Sequence, residues 1–254
     1  MIKREIELFL TAVMFFTRIP CPKGLPYTQE HLDESSRYYP VIGWIVGGCA
    51  ALVFYLSQLI LPFSVSVLLS MIATVFLTGA FHEDGFGDVC DGFGGGRSRE
   101  DVLTIMKDSR IGAYGAIGLI LIFMLKFFSL AEMSPRILPL VLIAGHSVSR
   151  GVSSVFRYTH TYVQDNDQSK VRPMAKKMTL KNLVITMALG IVPLFLFNAG
   201  FVFWVLVPVL FAESLTAGYF ARRIGGYTGD CLGALQQICE VTFYAGFFVL
   251  WKFI

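Results

Sequence analysis

Residues 81–96 read FHEDGFGDVCDGFGGG, and within them Asp84, Asp88 and Asp91 stand at i, i+4 and i+7. On a helix that spacing lines three carboxylates along one face. Like charges placed this way repel and weaken the helix unless a cation lies between them. Mg²⁺ suits the position, because it takes oxygen ligands and commonly bridges one or two carboxylates to substrate phosphates. Gly85, Gly87, Gly92, Gly94, Gly95 and Gly96 cost helix stability but let backbone approach a bulky anion closely. The expectation is a cradle for Mg²⁺ and a pyrophosphate. Asp84, Asp88 and Asp91 are its metal ligands, and Gly92, Gly94 and Gly95 lie against the substrate. A solvated acidic helix end followed by a flexible glycine loop is the plainer alternative, and it loses ground where acids adjoin a membrane segment.

Three further stretches carry polar chemistry. Residues 106–118, MKDSRIGAYGAIG, offer Lys107 and Arg110 to neutralise phosphate and Asp108 as a further catalytic acid. The same basic residues would also serve as membrane anchors, a role Asp108 does not help. In HSVSR, His146 reads as a buried structural group and Arg150 as a candidate phosphate contact. In RRIGGYTGDCLGALQQICE, Thr228 and Asp230 stand where a glycine turn enters a helix. Asp230 fits an N-cap or a metal or substrate contact equally well, and Glu240, deeper in that helix, requires a partner.

The elements that must position these groups follow from composition. Of 254 residues, 55% are hydrophobic and only 15% charged, with a mean hydropathy of +0.63. That leaves too little polar residue for the shell of a soluble domain, so the chain is expected to be an all-α, polytopic membrane helix bundle. Seven apolar runs approach the length of a bilayer span: residues 39–59, 62–81, 113–131, 137–156, 183–199, 201–221 and 232–253. The second is expected to run on as helix into the acidic stretch. Residues 1–20 read as a retained interfacial helix, since the apolar run ends in Arg18 and Pro20 rather than a cleavage site.

With the N-terminus inside, all of the 21 lysines and arginines except Lys126, Arg136 and Lys252 fall on the cytoplasmic side. That tally includes Lys170, Arg172 and Lys176 of the basic loop. The same assignment puts the acidic stretch, KDSR and GGYTGD together on the cytoplasmic face of the cell's inner membrane. The five cysteines are scattered and form no metal or disulfide pattern. Walker, Rossmann, nucleophile-elbow and HExxH motifs are absent, which leaves metal-assisted phosphoryl transfer. No repeat or long linker divides residues 1–254, and nothing suggests a nucleic-acid partner.

HEDGFGDVCDGFGG resembles the HxDGxxDxxDG signature of the cobalamin synthase family, the adenosylcobinamide-GDP ribazoletransferases. FFTRIP, YYPVIGWIVG, MKDSRIGAYGAIGL and GGYTGDCLGALQQICE resemble further family blocks in the expected order, so the likeness covers nearly the whole chain. The resemblance implies a Mg²⁺-dependent membrane enzyme that joins adenosylcobinamide-GDP to alpha-ribazole, or its 5'-phosphate, and releases GMP. His82, inside the signature, joins Gly92, Gly94, Gly95, Arg150, Thr228 and Asp230 as candidate substrate contacts. The partners expected are those two substrates and the lipid bilayer, with a homo-oligomer left open. Asp88 to Gly92 also resembles the CDP-alcohol phosphotransferase pattern DxxDGxxAR, but Phe93 to Gly96 lacks its Ala-Arg. A cation transporter is the competing class, which needs its acids near the membrane midplane.

Overall fold

The computed structural model describes residues 2–26, 28–163 and 177–252; Lys170, Arg172, Lys176 and Phe253, named above, lie outside the described residues. The described chain is helical, with one isolated bridge between Tyr162 and Tyr227. Its helices are α1 (Ile2–Phe16), α2 (Gln29–Ser35), α3 (Tyr39–Gln58), α4 (Phe63–Thr78), α5 (Phe81–Gly95) and α6 (Arg99–Ile105). They continue with α7 (Ala113–Ala131), α8 (Leu138–Thr159), α9 (Leu180–Ile191), α10 (Leu206–Ile224) and α11 (Gly229–Lys252). Two 3-10 stretches, Val192–Phe197 and Gly200–Val205, join α9 to α10.

The molecule is apolar on its outer surface, and its hydrophobic interior also encloses polar and charged side chains. Leu52, Leu56, Ile72, Phe76, Ile120, Leu121 and Phe211 are all exposed, as a lipid-facing surface requires. Five helical runs are long and apolar enough to cross a membrane: Gln29–Gln58, Ala113–Ala131, Leu180–Phe197, Gly200–Ile224 and Gly229–Lys252. Counting α4 with α5 makes six. The fourth expected span falls on α8, whose 22 residues suffice in length but whose composition is too polar to count among them. Its polarity is turned inward: His146, Ser147, Ser149, Arg150 and Ser153 are each at most 2% exposed. Helices α3, α9 and α11 pack around it.

The second expected span does not continue straight into the acidic stretch. Helix α4 ends at Thr78, Gly79 and Ala80 both take left-handed backbone (φ 68° and 58°), and α5 departs at 90° to α4. Gly79 adopts this conformation without a Cβ penalty, whereas Ala80 is held there against its preference. The FFTRIP segment buttresses the corner: the Arg18 amide donates to the Leu77 carbonyl at 2.8 Å, and the Arg18 side chain fills the space beside Gly79. The acids therefore lie on a separate helix, outside the direction of the α4 span. Helix α1 buries Leu8, Ala12, Val13 and Phe16 while Ile2 and Ile6 stay exposed, the amphipathic form expected of an interfacial helix.

Without a hydrophobic drive between helices in lipid, association depends on close packing and polar contacts. Gly43 and Gly47, one turn apart on α3, let its backbone meet α8. A Cβ on Gly47 would lie 2.6 Å from the Ile143 Cα, and one on Gly43 would lie 2.8 Å from the Ser147 Cα. The Trp44 indole N–H donates to Ser147 Oγ at 2.8 Å and to the Leu189 carbonyl at 3.2 Å, joining α3, α8 and α9. Gly48, by contrast, has nothing within 4 Å of its ideal Cβ position. Gly47→Val should therefore cost about 2 kcal/mol of stability in detergent through overpacking, while Gly48→Val should leave the unfolding midpoint where it is. Equal losses from both would contradict the close α3–α8 approach.

Candidate active site

Helix α5 carries the acidic stripe as the spacing requires, with Asp84 exposed and Asp88 and Asp91 half-buried. Asp230, in the first turn of α11, comes alongside. The contact depends on Gly85, where a Cβ would sit 2.9 Å from the Asp230 Cα. Burial, and then the carboxylates of Asp230, Asp84 and Asp91, push the Asp88 carboxyl up to about 7. Among the described residues no lysine, arginine or histidine forms an ion pair with Asp84, Asp88 or Asp230. Among the described residues no three His, Cys, Asp or Glu side chains already converge as a metal site. The donors are nonetheless all oxygen and mutually repelling, which fits a hard cation that takes one or two carboxylates and completes its shell with water and phosphate.

Asp91 has a different partner from the one its spacing suggested. Its Oδ2 accepts from the Gly112 amide at 2.7 Å and its Oδ1 from the Gly115 amide at 2.8 Å. Gly112 is the N-cap of α7 and offers no side-chain acceptor, so Asp91 supplies both the acceptor and the favourable negative charge from a neighbouring helix. Gly112 and Gly115 leave room for that carboxylate: a Cβ at either would fall within 3.0 Å of Asp91 Cγ. Asp91 thereby fastens the KDSR loop, just before α7, to the acid-bearing helix. Within the loop, Arg110 Nη2 pairs with Asp108 Oδ2 at 2.6 Å and its Nε donates to Oδ1 at 3.0 Å. The hydrogen bonds from Arg110 hold the Asp108 carboxyl down at about 2. Lys107 is exposed.

The remaining candidates divide. Each of the glycines lies against another helix where a side chain would stand, with Gly92 buried and Gly94 and Gly95 exposed. A Cβ on Gly92 would meet the Val102 carbonyl at 3.0 Å, one on Gly94 would meet Tyr114 Cδ1 at 2.8 Å, and Gly95 lies against Ile105. Thr228 is fully buried, and its Oγ1 accepts from the Cys231 amide at 3.2 Å. Thr228 therefore caps α11, while the Asp230 carboxylate, hydrogen-bonded to its own amide and to the Thr228 side chain, also stands beside Asp84. His82 is 1% exposed and shares a 2.7 Å hydrogen bond with the Tyr39 hydroxyl. Arg150 is also 1% exposed, donates to the His146 carbonyl at 2.9 Å and stacks on the Tyr39 ring. Both residues are packed inside the bundle instead of opening onto the acids.

His146 is structural as expected, and it belongs to a network centred on Glu240. Lys126 pairs with Glu240 Oε1, His146 Nδ1 lies 3.0 Å from Oε2, and Gln236 donates to Oε2 at 2.6 Å. Arg150 stands 4.0 Å away and the Tyr244 hydroxyl donates at 3.3 Å. Gln237 donates to both Gln236 Oε1 (2.9 Å) and Glu83 Oε1 (3.1 Å). From the sequence, Lys126 reads only as a basic residue off the cytoplasmic side. Its place inside an apolar span, with Glu240 inside another, was the available signal of a pair.

Asp91→Asn keeps only one of the two accepting oxygens and should cost about 1 kcal/mol, as for loss of a helix cap. Asp84→Asn should not destabilise the metal-free protein, because it relieves repulsion; a stability loss equal to that of Asp91→Asn would refute the division of roles. A second test uses Asp88, which holds its proton more tightly folded than unfolded. Its contribution to stability is present below about pH 4 and is lost as pH rises through about 7. Metal-free protein should melt lower at about pH 8 than at about pH 5, with the difference reduced in Asp88→Asn. Identical midpoints at the two pH values in the unaltered protein would contradict this.

Residues 8–248 match the family model described as cobalamin-5-phosphate synthase. A relative from Shewanella amazonensis, named adenosylcobinamide-GDP ribazoletransferase, is 48% identical over 254 residues, covering 98% of each chain. Relatives of the same name from Shewanella frigidimarina and Shewanella oneidensis are 46% and 44% identical over 244 residues. These alignments cover 95% of this chain in each case and 94% and 93% of the relatives. No solved structure matches. With the acidic signature carried on α5 and the match running through all but the ends of the chain, this protein belongs to the cobalamin-5-phosphate synthase family.

Proposed function

We propose that this chain transfers the cobinamide phosphate of adenosylcobinamide-GDP to the ribose hydroxyl of alpha-ribazole, or of its 5'-phosphate, with release of GMP. The substrates are those in the name its relatives carry. The observation that carries the reading to particular residues is the cluster of the Asp84, Asp88 and Asp230 carboxylates beside a loop bearing Lys107 and Arg110. In the exchange, the acceptor oxygen bonds to the phosphorus that carries cobinamide. The bond from that phosphorus to the bridging oxygen breaks, GMP leaves with that oxygen, and the acceptor's proton is released.

Asp84, Asp88 and Asp230 would hold Mg²⁺, which when bound neutralises pyrophosphate charge. Asp91 holds the start of α7, and with it the end of the KDSR loop, against α5, so Lys107 and Arg110 would meet an anion held by the cluster. Arg110 exchanges the Asp108 carboxylate for a phosphate, both of which suit its two-pronged donor geometry. Asp108, held at about 2, is a weak proton acceptor at neutral pH, which leaves orientation of the attacking hydroxyl to the cluster acids. The acceleration comes from positioning and electrostatics. The bundle acts as one catalytic domain in the inner membrane, with α5, the KDSR loop and the GGYTGD turn facing the cytoplasm, in keeping with the distribution of basic residues.

The test is incubation of purified protein with adenosylcobinamide-GDP, alpha-ribazole and Mg²⁺, followed by chromatography for GMP and the joined corrinoid. Both products should appear together. Arg110→Gln should lower turnover and turnover over KM alike, by about 2 kcal/mol in barrier, as for loss of a donor to the transition state. No GMP from folded protein would overturn the transferase reading; normal kinetics in Arg110→Gln would confine the chemistry to the acids.

A further inference from the structure

Helix α5 has two faces with opposite tasks. Asp84 and Asp88 look toward the acid cluster, while His82 and Glu83, immediately before them, are 1% and 6% exposed inside the bundle. Glu83 Oε1 accepts from Gln237 Nε2 at 3.1 Å, and Oε2 has no hydrogen-bond partner. Gln237 also donates to Gln236, and Gln236 donates to Glu240, which Lys126 of α7 pairs with. A continuous chain of buried contacts thus runs from the acid-bearing helix through α11 to α7. The same α11 bears Asp230, two turns before Gln237, and the same α7 has its N-terminus held by Asp91. His82 gives α5 a second hold, on Tyr39 of α3.

We infer that Glu83 is a positioning residue: its hydrogen bond with Gln237 locks α5 in register against α11, so that Asp84 and Asp88 stay beside Asp230. This rests on the reading of those three carboxylates as the metal-holding group. Cation binding requires carboxylates on two different helices to hold their spacing against mutual repulsion, so some contact outside the cluster has to resist the separation. The close approach at Gly85 brings the two helices together but supplies no directional bond. The Glu83–Gln237 hydrogen bond supplies the direction, two residues from Gly85. What the interaction needs from residue 83 is an acceptor oxygen on a side chain of this length, so a glutamine at this position also satisfies it.

The experiment compares Glu83→Gln, Glu83→Leu, Gln237→Leu and the double Glu83→Leu/Gln237→Leu in full-length protein. Two measurements are made: Mn²⁺ affinity by electron paramagnetic resonance and amide deuterium exchange over residues 81–95. Glu83→Leu and Gln237→Leu should each weaken Mn²⁺ by about tenfold, the loss typical of partners that orient metal ligands. The double variant should be no worse than either single, and Glu83→Gln should stay close to the unaltered protein. Exchange over 81–95 should rise in the Leu variants and not in Glu83→Gln. Deuterium exchange reads the tether without any metal: if the unaltered protein binds no Mn²⁺ while exchange follows this pattern, the metal reading fails and the register lock stands. Unchanged exchange over 81–95 in Glu83→Leu overturns the lock. So does a Glu83→Gln variant as impaired as Glu83→Leu, which would mean that the charge acts directly.

Discussion

A carboxylate midway along a membrane helix has to be paired, and the bundle is arranged around that requirement. Glu240, fully buried on α11, collects Lys126 from α7 and His146 and Arg150 from α8, with Gln236 and Tyr244 completing its contacts. Removing one partner of such a group leaves an uncompensated charge in a low-dielectric interior, so the helices that supply the partners are obliged to stay together. Lipid offers no competing hydration, and hydrophobic burial does little to choose one helix arrangement over another. The Glu240 network, with the glycine contacts of α3 on α8, is what makes the choice.

That scaffold allows the acid cluster to exist. Asp84, Asp88 and Asp230 are brought together by packing at Gly85 despite repelling one another, and Asp88 is left protonated more readily than an ordinary aspartate. Asp91, on the same stripe, is spent on holding the start of α7 and with it the KDSR loop. Attraction at one end of the stripe and repulsion at the other therefore have different origins. The first is local capping, and the second is sustained from behind by buried contacts.

Much of this was legible in the sequence. The apolar runs gave the bundle, the i, i+4, i+7 spacing gave the stripe, and the polar insertions at His146 and Glu240 were readable as inward-facing groups. What failed were inferences that depend on which helix neighbours which. Gly79 and Ala80 break α4 from α5, and an alanine in left-handed backbone carries no composition signal of a corner. Gly92 and Gly94 read as room for an anion, and the sequence gives no sign that Met106, Val102 and Tyr114 stand where their side chains would be. His82 and Arg150 are polar residues beside chemistry-bearing motifs, yet they face the interior. Glu83 was hidden by its neighbours, since four acids within nine residues look like one cluster until the helix separates their faces. For Asp230 the sequence leaves cap and contact equally open, because both Thr and Asp cap helices and only the surroundings decide that Thr228 does.

The proposed cation site draws its carboxylates from two helices, including Asp230 from outside the acidic signature. Titration of the purified protein with Mn²⁺ followed by electron paramagnetic resonance measures this directly. Binding should be saturable, displaced by Mg²⁺, and weakened as strongly by Asp230→Asn as by Asp84→Asn, with both variants folded. Undiminished binding in Asp230→Asn, alongside loss in Asp84→Asn, would contradict a site shared between α5 and α11.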